Sequence, residues 1–157
     1  MSVKPRRKPP YRHILVATDG TERSARAVRT ATDLAQDFKA HLTAVHVVAP
    51  YSAGALVEFA PIGAPPSEAE YRGIVERRGR AMLRRAAAGA RRARVPVDTA
   101  LVTSDAPAEA IVDAAREKGC DLIVVATSNP VGLQRLVLGS VASEVLLRAH
   151  APVLVCR

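Results

Sequence analysis

The sequence predicts an α/β domain: an open, mostly parallel five-stranded sheet with helices on both faces. Short apolar runs alternate with segments of helical periodicity from His13 to the end of the chain, which is the strand and helix order of a parallel sheet. The strand candidates are near-continuous apolar runs, as expected where both faces of a sheet are covered. The 157 residues, 48% of them hydrophobic, suit a single domain from 13 to 157 with a real core.

Residues 13 to 18 (HILVAT) read as the first strand, which ends in an Asp19-Gly20 turn. Ala25, Val28, Thr32 and Ala35 then recur at helical spacing up to Phe38, with Thr21 as N-cap. Residues 41 to 48 (HLTAVHVV) form the second strand. The segment 50 to 66, rich in Pro, Ala and Gly, reads as a flexible loop, longer than a connection needs and a candidate lid. Ser67 and Glu70 stand at capping-box spacing ahead of an arginine-rich helix. Tyr71, Val75, Met82, Ala86, Ala90 and Ala93 mark its apolar face, and Pro96 ends it. A third strand at 97 to 103 leads to Asp105 and Pro107 at a helix start, with Ile111, Ala114 and Ala115 inside and Gly119 as the stop. The fourth strand is 121 to 126. A helix at 140 to 149 and a strand at 152 to 156 close the chain.

Charge and composition exclude several classes of function. The net charge is +8, but the excess sits in two places. Lys4, Arg6, Arg7, Lys8 and Arg12 belong to a basic, disordered leader, residues 1 to 12, and nine arginines from Arg72 to Arg94 share one segment with a single acid, Glu76. The remainder is net acidic. A solvated tail and a soluble helix face account for this better than a nucleic-acid site, and 3% aromatic content leaves few platforms for stacking bases. No apolar run approaches the roughly 18 residues that span a bilayer, and the basic N-terminus is followed by no apolar signal core. A cytoplasmic protein without membrane partners is therefore expected. Cys120 and Cys156 each flank an apolar run, where a reduced thiol is the commoner state, and no second Cys or His stands at metal-ligand spacing.

In open parallel sheets the ligand crevice lies outside the carboxyl ends of the strands, where the strand order reverses. Asp19 after the first strand, Val47 at the end of the second and the loop from Ala126 to Ser140 after the fourth all fall there. Gly139-Ser140 heads the last helix, where unpaired N–H groups and the positive end of the helix dipole favour an anion. Singly, each feature has an ordinary role, since an aspartate after a strand or a Gly-Ser pair commonly caps a helix. Their convergence is what points to phosphate.

The segments ILVATDGTERSARAV, LTAVHVV, DLIVVATSN and LVLGSVASEVLLRAHAPVLVC, in this order and spacing from His13 to Arg157, resemble the universal stress protein family. Its nucleotide-binding members carry Gly-x-x-Gly, nine residues, then Gly-Ser or Gly-Thr. Here the nine residues Pro130 to Leu138 separate Asn129 from Gly139-Ser140. The resemblance implies a Rossmann-like, three-layer fold of the adenine nucleotide alpha hydrolase-like type. It implies a regulatory domain of the stress response that binds ATP or AMP, with Mg²⁺ only as companion of the nucleotide. Residue by residue it implies Asp19 beside the nucleoside, the Val47 backbone at adenine, Ala126 and Asn129 in the glycine loop, and Gly139, Ser140 and Val141 at the phosphates. It also implies a homodimer paired through strand 152 to 156, a short apolar strand suited to a sheet edge.

This chain departs from the family pattern in the loop. Ala126 stands at the first glycine of the motif and adds one methyl, tolerable where φ is negative. Asn129 stands at the second, and asparagine is the residue after glycine best able to adopt the left-handed region. Pro130 removes a backbone N–H, and one donor lost to a charged group is worth roughly 1.5–3 kcal/mol, about tenfold to a hundredfold in affinity. No catalytic residue is indicated: G-x-S-x-G and P-loop motifs are missing, and His13, His41, His46 and His150 make no visible pair with a nucleophile. At most, slow ATP hydrolysis follows from the resemblance. Three readings stay open: a nucleotide-binding regulatory module, a ligand-free homodimeric stress protein acting through protein partners, and a nucleic-acid partner working through the arginine helix.

Overall fold

The computed structural model describes residues 10–127 and 139–157. Five strands, β1 (His13–Ala17), β2 (His41–Val48), β3 (Val97–Thr103), β4 (Leu122–Ala126) and β5 (Val153–Cys156), lie in the order β3-β2-β1-β4-β5. Every pairing is parallel. Helices α1 (Glu22–Phe38) and α2 (Glu68–Arg92) cover one face, and α3 (Pro107–Glu117) and α4 (Ser140–Arg148) the other. The architecture is the one the apolar runs predict.

Alternation along the strands divides the core into two layers. Ile14, Val16, Leu42 and Ala44 pack with α1 and α2, while Leu15, Val45, Ile123 and Val125 pack with α3 and α4. Ile14, Leu15 and Val16 are all fully buried, which is why β1 reads as an unbroken apolar run. The packed region starts slightly ahead of His13: the Tyr11 ring rests 5.9 Å from Phe38, and the Arg12 and His13 N–H groups donate to the Asp121 carboxylate. Asp121 thus ties the start of β1 to the start of β4 and lies just outside β4, not within it.

Helix ends follow local chemistry. Thr21 caps α1, its side chain accepting from the Ser24 N–H, and Ser67 with Glu70 forms the expected capping box on α2. At the other ends α1, α2 and α3 share one device. Lys39, Arg94 and Gly119 take the left-handed conformation, and the N–H of the next residue (Ala40, Val95, Cys120) returns to the carbonyl five residues back. That next residue is buried each time. The α2 helix therefore ends at Arg92 through Arg94, and Pro96 is not its stop but the first partner of β2, accepting from the Leu42 N–H. The buried stripe of α2 is Tyr71, Gly79, Leu83, Ala87 and Ala90, with Val75, Met82, Ala86 and Ala93 only half-buried along its margins. Within the 50 to 66 segment Ala55–Ile62 forms a 3-10 helix, and Phe59 is buried edge-on against Tyr71.

Both cysteines are free thiols; Cys120 is buried, and burial pushes it up to about 11. No helix among the described residues is long and apolar enough to cross a membrane.

Two glycines of α2 make opposite demands. A Cβ at Gly79 would meet Leu101 at 2.5 Å and His46 at 3.0 Å, so α2 touches the sheet there. A Cβ at Gly89 would meet nothing within 4 Å. Gly79→Ala is expected to destabilise by about 1–3 kcal/mol through overpacking, and Gly89→Ala to stabilise by about 0.5–1 kcal/mol through helix propensity. Urea unfolding of the two variants checks both signs. Burial, with His41 beside it, lowers the His13 pKa from 6.5. The unfolded chain then binds the proton first, so this contribution is complete above pH 6.5 and lost as pH falls through the folded pKa. His13→Gln should flatten that part of a stability-against-pH curve.

Candidate functional site

The strand order turns back between β1 and β4, and at the carboxyl ends of those strands lies a cleft of about 300 Å³. That is the lower end of the range for small-molecule sites. Its wall on the β1 side is a hydrogen-bonded turn. The Thr21 hydroxyl donates to the Asp19 carboxylate at 2.6 Å and accepts from the Ser24 N–H at 3.2 Å, while the Thr21 N–H also donates to Asp19. The Ser24 hydroxyl donates to the Thr21 carbonyl, so at 3.1 Å the Thr18 hydroxyl is the donor to Ser24, and Thr18 in turn accepts from the Gly20 N–H. Every hydroxyl proton in the turn is used. Gly20 has φ +80°, which suits glycine, and a Cβ there would strike Met82 at 2.8 Å.

Burial opposes the charge of Asp19, but the Thr21 and Ser24 hydrogen bonds outweigh it and hold its pKa below 3.8. On the β2 side the Thr18 N–H donates to the Val45 carbonyl, and His46 Nδ1 donates at 2.7 Å to the Thr18 carbonyl. His46 is thus a satisfied, half-buried histidine with its Nε2 left as the acceptor nitrogen when neutral. On the β4 side Ala126 is the last strand residue, with none of the positive φ that would strain an added methyl, and the Thr127 N–H donates to the Cys156 carbonyl.

The far wall is the start of α4. Gly139 is its N-cap and has no side chain with which to hold the first-turn N–H groups, in contrast to Thr21 on α1 and Ser67 on α2. That helix end opens onto the cleft through Gly139, Ser140 and Val141. Asp19 and Arg23 are the side chains of fixed charge among the described lining residues.

Of the residues singled out from sequence, Asp19, Val47, Ala126, Gly139, Ser140 and Val141 line this one cleft, and Asn129 and Pro130 lie outside the described residues. Thr18, Arg23, Ser24 and Thr127 line it too and were missed. A signal for Arg23 existed: it is the second residue of α1, directly behind a cap at the cleft rim. Among the described residues no group of three or more His, Cys, Asp or Glu gathers to hold a metal ion.

The family model described as the universal stress protein family matches residues 10–157. The chain belongs to this family. It is 33% identical over 150 residues to a universal stress protein of Methanocaldococcus jannaschii, covering 94% of this chain and 82% of that one. A solved universal stress protein family structure from Burkholderia pseudomallei is 31% identical, with TM-score 0.71 over 93% of this chain and 96% of that one. A universal stress protein solved in complex with cAMP is 30% identical, with TM-score 0.64 over 92% and 95%. This chain therefore shares its overall fold with these solved relatives.

Thr21→Ala is expected to lower unfolding stability by about 1 kcal/mol, since it removes the α1 cap and a partner of Asp19. The Asp19 contribution, present above pH 3.8, is lost as pH falls through the lower folded value. The stability gap between wild type and Asp19→Asn, followed by thermal melting, should close as the solution is acidified below about pH 4.

Proposed function

We propose that this universal stress protein is a regulatory domain that binds an adenine mononucleotide, ATP or AMP, in the cleft between β1 and β4. The observation that carries the reading is the convergence of Asp19, Val47, Ala126, Gly139, Ser140 and Val141, from three separate segments, on one cleft whose far wall is a helix start with glycine at its N-cap. Adenine packs against the backbone around Val47, the ribose lies toward Asp19, and the phosphates meet the N–H groups behind Gly139 and Ser140. Arg23, on the rim, supplies the positive charge for a phosphate tail. Its guanidinium offsets the donor that Pro130 withholds. The related chain bound to cAMP supports a nucleotide in this family's fold. Mg²⁺ enters only with the nucleotide, and the protein's role is binding, with no side chain assigned to hydrolysis.

The second half of the proposal is a homodimer through β5. This strand is at the sheet edge, paired on one side with β4, and α4 beside it exposes Leu146 and Leu147, the latter 86% exposed. An apolar edge of this kind is normally covered or paired.

Calorimetric titration with ATP, AMP, cyclic AMP and adenosine tests the site. Arg23→Ala should weaken ATP about tenfold or more and leave adenosine nearly unchanged, as expected for loss of one charge-assisted contact. No heat from any of the four would leave the ligand-free dimer as the surviving reading. For the dimer, light scattering should give twice the chain mass for wild type and the single mass for Val153→Asp. A monomeric wild type would refute the pairing.

A further inference from the structure

We infer that the groove between α1 and α2 is a second ligand site, for a small organic anion with an apolar body. This groove, about 430 Å³, is larger than the cleft at the strand ends and lies within the range of small-molecule sites. Its walls come from both helices and from the turn of Thr18, Gly20 and Thr21 that it shares with the first cleft: Val28 from α1 and Met82 and Ala86 from α2 give an apolar floor, and the exposed Arg29, Arg85 and Arg92 stand at the opening. Asp33 is the one acid among the described lining residues. Arg29 is held by Glu22 at 3.0 Å, whereas no acid among the described residues stands within ion-pair distance of Arg85 or Arg92.

Those two arginines are seven residues apart, two helical turns, so they stand on the same side of α2 and both reach the same opening. Two cations over a hydrocarbon floor select an anionic head on an apolar body; a purely polar anion would leave the floor wet, and a cation would be repelled. A carboxylate and a phosphate ester share that chemistry.

Gly89 supplies the independent observation. Glycine weakens a helix interior, and a turn or close approach usually explains it. Neither applies here, because Gly89 is inside α2 and a Cβ on it would point into empty space. The space it leaves open is this groove. At Gly79 the sheet demands a missing side chain; at Gly89 no protein atom does, and the residue leaves that side of the groove open.

The test uses the full chain, isotope-labelled for amide NMR, titrated separately with octanoate, octyl phosphate and octylamine at fixed ionic strength. Octanoate or octyl phosphate should give saturable shifts at Val28, Gly89 and Ala93, which line the groove alone, and the tighter of the two identifies the head group; octylamine should leave these amides in place. Gly89→Leu, which fills the groove, and the double variant Arg85→Gln/Arg92→Gln should each weaken the anion about tenfold or more, with the circular dichroism of the wild type retained. The inference is overturned if neither anion gives a saturable shift, if the shifts fall on Val47 and Ser140 instead, if octylamine binds as well as octanoate, or if either variant binds like wild type. ATP affinity of the first cleft does not enter this readout, so failure here leaves the nucleotide proposal standing, and the reverse holds too.

Discussion

The pairing of β1 with β2 on one side and with β4 on the other is the constraint from which the rest of the molecule follows. A parallel pair needs a helical crossover, and crossovers leading in opposite directions from one central strand open a gap at its carboxyl end that no connection fills. The chain secures the arrangement at both ends of β1. Asp121 collects the N–H groups of Arg12 and His13 at the start, and Thr18 extends the ladder onto Val45 at the finish. Between them Ile14, Leu15 and Val16 are sealed from water on both faces. Dispersion and burial fix the strand, and the strand fixes the gap.

What surrounds the gap differs from wall to wall in a chemically useful way. The α1 side is saturated: its hydroxyls and the Asp19 carboxylate satisfy one another, and the carboxylate stays ionised because those bonds outweigh its partial burial. The α4 side has glycine at its N-cap, which supplies no capping side chain of its own. A self-satisfied wall facing a helix start with glycine at its N-cap is suited to a ligand that is polar along its length and anionic at one end.

Much of this was legible in the chain because the physics was local. Unbroken apolar runs such as HILVA and LIVVA report two-sided burial directly, and Ser67 with Glu70 reports a cap through a hydrogen bond that spans three residues. The end of α2 was misassigned to Pro96 because a proline is a visible stop and an arginine in the left-handed region is not; Arg94 turns the chain only because Val95 has a buried place to go. The buried stripe of α2 shifted for a similar reason. Gly79 has no hydrophobicity to notice, yet it is where the helix comes closest to the sheet. At the site, Asp19, Val47 and Ser140 could be found because each ends or begins an element, and Arg23 could have been found from its place behind the α1 cap, whereas Thr18 lines the cleft through a hydroxyl chain to Ser24 that no spacing rule reports.

Met82 gives one of these details wider reach. Its thioether lies against Gly20, in the turn that walls the strand-end cleft, and the same side chain floors the groove between α1 and α2. The partition between the two cavities is the turn of Thr18 and Thr21, which lines both, and Met82 backs it from the groove side with an unbranched side chain of three rotatable bonds. A partition that yields transmits: if filling one chamber pushes the sulfur toward Gly20, occupancy of the other changes by the same free energy in both directions, with no hinge or subunit rotation required.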